Sequence, residues 1–87
     1  EVARTMNVTP DDIRSTSRSA LISQARQIAA YVVKEITGLP MVSIGEELGG
    51  RDHSTIVYAI QKVESRMKKD SSFKGLVNDI IKNISEK

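Results

Sequence analysis

The apolar residues of this chain recur at spacings of three and four along most of its length. This is the period of an α-helix, in which residues three and four apart share one face. The longest such stripe predicts a helix from about Ser19 to Thr37, and its apolar members are Leu21, Ala25, Ile28, Ala29, Val32, Val33 and Ile36. Gly38 and Pro40 are expected to end this helix, because glycine adopts the left-handed cap and proline cannot continue the helix.

Two shorter helices are predicted on either side of it. The first is expected to begin at Pro10, behind the cap residue Thr9, and to end near residues 15–16. For the second, Ser43 is the expected cap, with Glu46 three residues later as its reciprocal capping partner, and the helix should run to about residue 48.

Two longer helices complete the pattern. One is expected to begin at Asp52 or His53 and to run to about Lys69, with an inner stripe of Ile56, Ile60, Val63 and Met67. After a predicted break at residues 70–72, a last helix should close the core with Phe73, Leu76, Val77, Ile80, Ile81 and Ile84. The predicted fold class is therefore all-α, a small domain of about five helices over residues 9–87, with residues 1–8 as a linker or the end of a preceding domain.

Composition narrows the possible functions. A chain of 87 residues favours one compact domain, and the lack of cysteine excludes disulfides and thiolate metal sites. This fits a reducing cytoplasm, where we expect the protein, and no apolar run approaches the roughly 18 residues of a membrane span.

The net charge is only +2, but residues 13–34 hold four basic and no acidic side chains. Local basic surface suits a polyanionic partner, although a solvated helix face would explain it equally well.

Residues 43–63 predict a helix, a glycine-containing turn and a second helix. So brief a turn makes the two helices cross steeply, as in the DNA-binding helix-turn-helix, whose second helix enters the major groove. Gly45 and Gly49 are four residues apart, a small residue in the first helix and then a turn glycine, as such motifs favour. A helical hairpin without a DNA-binding function has the same geometry and is commoner.

The segment GGRDHST places five consecutive polar side chains at the start of the fourth helix. A helix start attracts anions, and its side chains can reach base edges in a groove. Asp52 could accept from a cytosine amino group, while His53 and Ser54 could bond to base edges or phosphates. Asp52 could equally serve only as the helix cap, and Thr55 could bond a phosphate or its own helix.

Basic and amide side chains elsewhere could extend such an interface. Lys62 lies about two helical turns beyond Thr55, where it could meet a phosphate flanking the groove. Gln27 and Arg26 could touch backbone phosphates from the long helix. Arg18 could enter a minor groove or be an ordinary surface arginine.

We expect no metal, cofactor or enzymatic activity. His53 is the only histidine, and without a cysteine or second histidine it cannot complete a metal shell of the usual kind. No pair of nucleophile and general base is visible in the sequence.

The stretch GGRDHSTIVYAIQKV resembles the hallmark of the DNA-binding C-terminal domain of DnaA, the bacterial chromosomal replication initiator. The likeness extends upstream through ARQIAAYVVKEITGLPMVSIGEELGG, covering residues 9–70 well and the last helix loosely. It implies a helix-turn-helix domain that binds the short asymmetric DnaA boxes of replication origins and works with other domains of the same initiator. The phosphate loop GxxxxGK[ST] is missing, so we expect a fragment or isolated domain that does not hydrolyse ATP, and ATP binding would belong to the full-length initiator only.

The resemblance also implies roles for individual residues. Contacts to bases would come from Arg18 in the minor groove and from Val42, Asp52, His53 and Ser54. Contacts to phosphates would come from Gln27, Ser43, Arg51, Thr55 and Lys62. Three positions depart from common family residues and leave the preferred base sequence open: Ser54 for threonine, Ala20 for arginine and Val42 for proline.

Two other functions fit the same features. A transcription regulator of the helix-turn-helix type would use the same surface. A helical protein-interaction module would instead use the face that carries Tyr58 or Arg66, and it would give no gel shift with duplex DNA.

Overall fold

The computed structural model describes residues 10–15 and 19–85. Within those ranges the chain forms five helices and no strand: α1 (Pro10–Arg14), α2 (Ala20–Thr37), α3 (Met41–Glu47), α4 (His53–Lys69) and α5 (Ser71–Ser85). The predicted all-α class with about five helices is confirmed. The predicted linker at residues 1–8 lies outside the described residues. Across the described ranges, every helix is too short or too polar to span a membrane.

The second helix, α2, is the centre of the domain and contacts each of the other four helices. Ala25, Ile28 and Ala30 in its middle are fully buried. The predicted apolar stripe was too long, because Leu21 is 46% exposed and Ile36 is 39% exposed. Helices that cross at an angle cover only the middle of their neighbour, which leaves both ends of the stripe uncovered.

The start of α3 differs from the prediction. Ser43 is not the cap but the third residue of the helix, and the cap position is Pro40 with φ −59° and ψ 152°. Because the proline ring fixes φ near this value, the chain enters the helix directly from Pro40. The proposed capping pair of Ser43 and Glu46 is therefore wrong, and α3 begins two residues before Ser43.

Two aspartates begin the last two helices in the same way. Asp52 Oδ1 accepts a hydrogen bond from the Thr55 N–H at 2.8 Å, and Asp70 Oδ1 accepts one from the Phe73 N–H at 3.0 Å. Each carboxylate satisfies an N–H group that the first helical turn leaves without a backbone partner. The break between α4 and α5 is consequently Asp70 alone, shorter than predicted.

The predicted inner faces of α4 and α5 are confirmed. Ile56, Ile60 and Val63 of α4 are 1–2% exposed. On α5 the buried side chains are Phe73, Val77 and Ile80. Both faces pack on α2, so the orientation of α4 is set by its buried stripe.

Candidate nucleic-acid interface

The start of α4 presents its polar side chains to solvent. Asp52, His53, Ser54 and Thr55 are all exposed, while Ile56, the next residue, is 1% exposed. The buried side chains of Ile56, Ile60 and Val63 hold one face of the helix against the core. The side chains of its first turn consequently face solvent. The first turn is therefore free to meet a ligand as large as a duplex.

The turn between α3 and α4 is folded onto α3 at Gly45. The carbonyl oxygen of Gly45 accepts the N–H groups of Gly50 and Arg51, each at 2.9 Å. A Cβ atom at Gly45 would lie well under 3.0 Å from the Arg51 carbonyl oxygen, so only glycine fits here. The nearest neighbour of such a Cβ would be the backbone of the turn, and the nearest α4 atom, Ile56 Cγ1, would lie 3.4 Å from it.

The first helix, α1, packs against the same turn. Gly49 has φ +95°, and a Cβ there would lie well under 3.0 Å from the carbonyl oxygen of Arg14. In return, Arg14 Nε donates to the carbonyl oxygen of Glu47 at 3.3 Å. The end of α1 and the end of α3 are thus joined directly.

Arg51, expected at a phosphate, is engaged inside the domain. Its guanidinium group donates to the carbonyl oxygens of Leu48 and Ser15 and, at 3.5 Å, to that of Arg14. These bonds tie the turn before α4 to the chain that leaves α1. They give Arg51 a structural role, and its contact with a phosphate stays a prediction.

Arg26 makes the same connection from α2. Its Nε donates to the carbonyl oxygen of Ile13 and its Nη2 to that of Ser15, both at 2.8 Å. Burial lowers the pKa of Arg26, and burial followed by the nearby charge of Arg26 lowers the pKa of Arg51. Both guanidinium groups donate to the Ser15 carbonyl oxygen, so they lie close together at the carbonyl end of α1, where a helix favours positive charge.

Asp52 has an established role as the cap of α4. The Thr55 backbone N–H, and after it the Thr55 hydroxyl, favour the ionised carboxylate and lower the pKa of Asp52. The prediction that Asp52 caps the helix is thus confirmed. The cap bond uses Oδ1 of the carboxylate and does not exclude a contact between Asp52 and a base. The proposed base contact stays a prediction.

The remaining described site residues come from α2, α3 and the middle of α4. Val42, on the first turn of α3, is 57% exposed, and Ser43 beside it is partly buried. Lys62 is exposed on α4, with its Nζ 5.8 Å from the centre of the Tyr58 ring. Gln27 is partly buried on α2. Arg18 lies outside the described residues.

A groove of about 190 Å³ lies between α2 and α4. Its polar lining consists of Ser23, Arg26, Gln27, Arg51, Thr55 and Tyr58. The groove brings together Gln27 and Thr55, which were predicted separately as phosphate contacts. Sequence reasoning missed Ser23 and did not associate Tyr58 with Thr55, although their spacing of three residues puts both on one helix face.

A comparison with protein families supports the helix-turn-helix assignment. The family described as bacterial dnaA protein helix-turn-helix matches residues 1–63 of the chain. The matched part contains α1, α2 and α3 and extends along α4 to Val63. The likeness predicted from sequence reached residue 70, so α5 and the end of α4 lie beyond the match.

Proposed function

Because the chain belongs to the bacterial DnaA helix-turn-helix family, we propose that it binds DnaA boxes in double-stranded DNA at replication origins. Membership of this family implies DNA binding and a connection with the initiation of replication. Box recognition, recruitment of the initiator and cooperation with its other domains belong to the proposal. A DNA-binding domain of this kind is typically non-catalytic.

The observation that carries the proposal is the outward first turn of α4. Its exposed polar side chains precede a buried apolar stripe, so the end of the helix can enter a major groove without any rearrangement of the core. We assign base contacts to Asp52, His53 and Ser54. Arg18 in the minor groove and Val42 at the start of α3 complete this base-contacting set.

The proposed phosphate contacts come from α2, α3, α4 and the turn before α4. Thr55 and Gln27 line the groove between α2 and α4, and Lys62 lies farther along α4. Such contacts supply much of the affinity for any DNA sequence, whereas contacts to bases supply the preference for one sequence. Ser43 and Arg51 are also assigned to phosphates, and the Arg51 guanidinium group holds the turn in place as well.

The base-reading assignment is tested with His53→Ala. Fluorescence anisotropy would measure binding to a labelled duplex carrying a DnaA box and to a scrambled duplex of equal length. Loss of a good contact to a base edge should weaken box binding by about 1–3 kcal/mol and reduce the preference over scrambled DNA. An equal loss on both duplexes would contradict base reading by His53. Equal affinity of the unaltered protein for both duplexes would contradict box recognition itself.

The phosphate assignment of Lys62 is tested by the salt dependence of the same binding. Lys62→Ala should weaken both duplexes and reduce the slope of log affinity against log salt by about one unit. Lys82→Ala is the control, because it removes an equal charge from the exposed end of α5. An unchanged slope for Lys62→Ala would exclude Lys62 from the phosphate contacts.

A further inference from the structure

The groove between α2 and α4 combines hydrogen-bonding side chains from both helices. Ser23 and Gln27 come from α2, and Thr55 and Tyr58 come from α4. Hydroxyl and amide groups of this kind donate to phosphate oxygens in protein–DNA complexes. The groove opens beside the first turn of α4, the part of the helix that we assign to the major groove.

Tyr58 is unusually exposed for an aromatic residue in so small a domain. It is 61% exposed, more than any other large hydrophobic side chain in the described ranges. Thr55, Tyr58 and Lys62 follow one another at spacings of three and four, so they lie along one face of α4. This face spans about 10 Å of helix axis between Thr55 and Lys62. Tyr58 therefore lies between two residues already assigned to phosphates.

The charge of the groove favours an anion. Arg26 and Arg51 line it, and none of the described residues in its lining is acidic. The recorded partners of the Arg51 guanidinium are neutral carbonyl groups, which leave its positive charge in place. Burial and the neighbouring Arg26 lower the pKa of Arg51, and an anion in the groove would offset both effects.

We propose that this groove holds one backbone phosphate of the bound duplex, and that the Tyr58 and Ser23 hydroxyls donate hydrogen bonds to it. The inference rests on the proposed function, since the occupant is a phosphate of the duplex that α4 enters. It adds two uncharged contacts to the residues that hold the DNA backbone. Tyr58 also places its ring under the Lys62 ammonium group at 5.8 Å, within reach of a cation–π contact.

The test is Tyr58→Phe, which removes only the hydroxyl. Loss of one solvent-exposed hydrogen bond should weaken binding about three- to tenfold, by the same factor on box and scrambled duplexes. The salt slope should not change, because no charge is removed. Ser23→Ala should act in the same direction, and the double variant should lose less than the product of the two single losses, since both hydroxyls bind one phosphate.

Tyr31→Phe is the matched control. Tyr31 lies on α2, where burial and then the charges of Glu35 and Glu64 raise its pKa, so its surroundings disfavour a phosphate. The affinity of Tyr31→Phe for both duplexes should equal that of the unaltered protein. Thermal unfolding of all variants separates a loss of DNA affinity from a loss of stability. We expect Tyr58→Phe to unfold at the same temperature as the unaltered protein.

Duplexes with a single methylphosphonate would locate the phosphate. One neutralised position should weaken the unaltered protein more than it weakens Tyr58→Phe, because the variant has already lost one of the contacts to that phosphate. Unchanged binding by Tyr58→Phe, or a loss confined to the box, would overturn the inference while box recognition stands. If the unaltered protein did not distinguish box from scrambled DNA, the proposed function would fail, and an equal Tyr58→Phe loss on both duplexes would still support the groove.

Discussion

Asp52 shows how one side chain can be needed by both the fold and the function. Its carboxylate caps α4 through the Thr55 N–H, and the same exposed group is our candidate for reading a base. The cap could be predicted from the sequence because its partner is three residues away. The cap bond holds the Asp52 side chain in place whether or not DNA is bound.

Because the capping carboxylate can be protonated, the stability of the fold should depend on pH. Thr55 lowers the pKa of Asp52 in the folded chain, so the ionised carboxylate stabilises the fold above the ordinary aspartate range near pH 4. This contribution is lost as the pH falls through the lower pKa of the folded state. Asn caps a helix without ionising, so the stability difference between the unaltered protein and Asp52→Asn should shrink from pH 5 to pH 2.

Thermal melts across this pH range, followed by circular dichroism, measure the effect. Asp79→Asn provides a control, because Asp79 is an exposed carboxylate within α5. A difference between the unaltered protein and Asp52→Asn that stayed constant down to pH 2 would contradict the predicted role of the carboxylate.

At the residue scale, the bonds of Arg51 to α1 could not be predicted from the sequence. Nothing local distinguishes it from a surface arginine at a helix start, which is why a phosphate contact was expected. Two of its carbonyl partners, on Arg14 and Ser15, are more than thirty residues away in the chain. Only the folded arrangement of α1 against the turn brings them together.

Replacing Arg51 should therefore reduce stability even when its charge is kept. Lysine cannot reach three carbonyl groups as the guanidinium fork does. We expect Arg51→Lys to lower the free energy of unfolding by about 1 kcal/mol. Urea denaturation measures this change, and an unaltered midpoint would show that the bonds to α1 contribute little.

At the scale of elements, helix ends were predictable where the cap is local. Gly38 adopts φ 66° and its N–H donates to the Lys34 carbonyl oxygen, so the predicted end of α2 is confirmed. The start of α3 was missed because Pro40 competes with Ser43 for the cap position, and the sequence alone does not rank the two. The exposed ends of the α2 stripe were missed because a stripe does not reveal where a neighbouring helix stops covering it.

The contact between α3 and the turn gives an element-scale prediction. Gly45→Ala would place a Cβ against the Arg51 carbonyl oxygen and push the turn away from α3. We expect a loss of about 1–3 kcal/mol in the free energy of unfolding despite the better helix propensity of alanine. DNA affinity should also fall, because the turn positions the first residues of α4.

Gly75→Ala is the matched control for this change. Gly75 also lies within a helix, but a Cβ there would meet no atom within 4 Å. The substitution should stabilise α5 by up to about 1 kcal/mol. Thermal unfolding of Gly45→Ala and Gly75→Ala measures the two changes in stability. Equal changes for the two variants would contradict the steric role of Gly45.

At the scale of the whole molecule, α5 contributes buried side chains to the core and carries none of the residues that we propose to contact DNA. It lies beyond the residues matched by the family, yet Phe73, Val77 and Ile80 close the core against α2 and α4. The helical spacing of its apolar residues was sufficient to predict this role, and that spacing can be recognised in the sequence without any match to a family. A domain of this size needs such a helix to bury enough apolar surface.

Shortening a buried side chain of α5 should affect stability alone. Ile80 is 1% exposed, so Ile80→Val should lower the free energy of unfolding by about 0.5–1.5 kcal/mol. Ile81→Val removes the same methylene at a partly exposed position and should cost less. Box affinity measured well below the unfolding temperature should be unchanged for both, and a selective loss of affinity in Ile80→Val would show that α5 also supports the interface.

The attachment of α1 has a mechanical meaning for the domain. Carbonyl groups at residues 13–15 are held by Arg26 from α2 and by Arg51 from the turn before α4. A force that rotates or pulls α1 would therefore act directly on α2 and on this turn, from which the proposed DNA-contacting end of α4 begins.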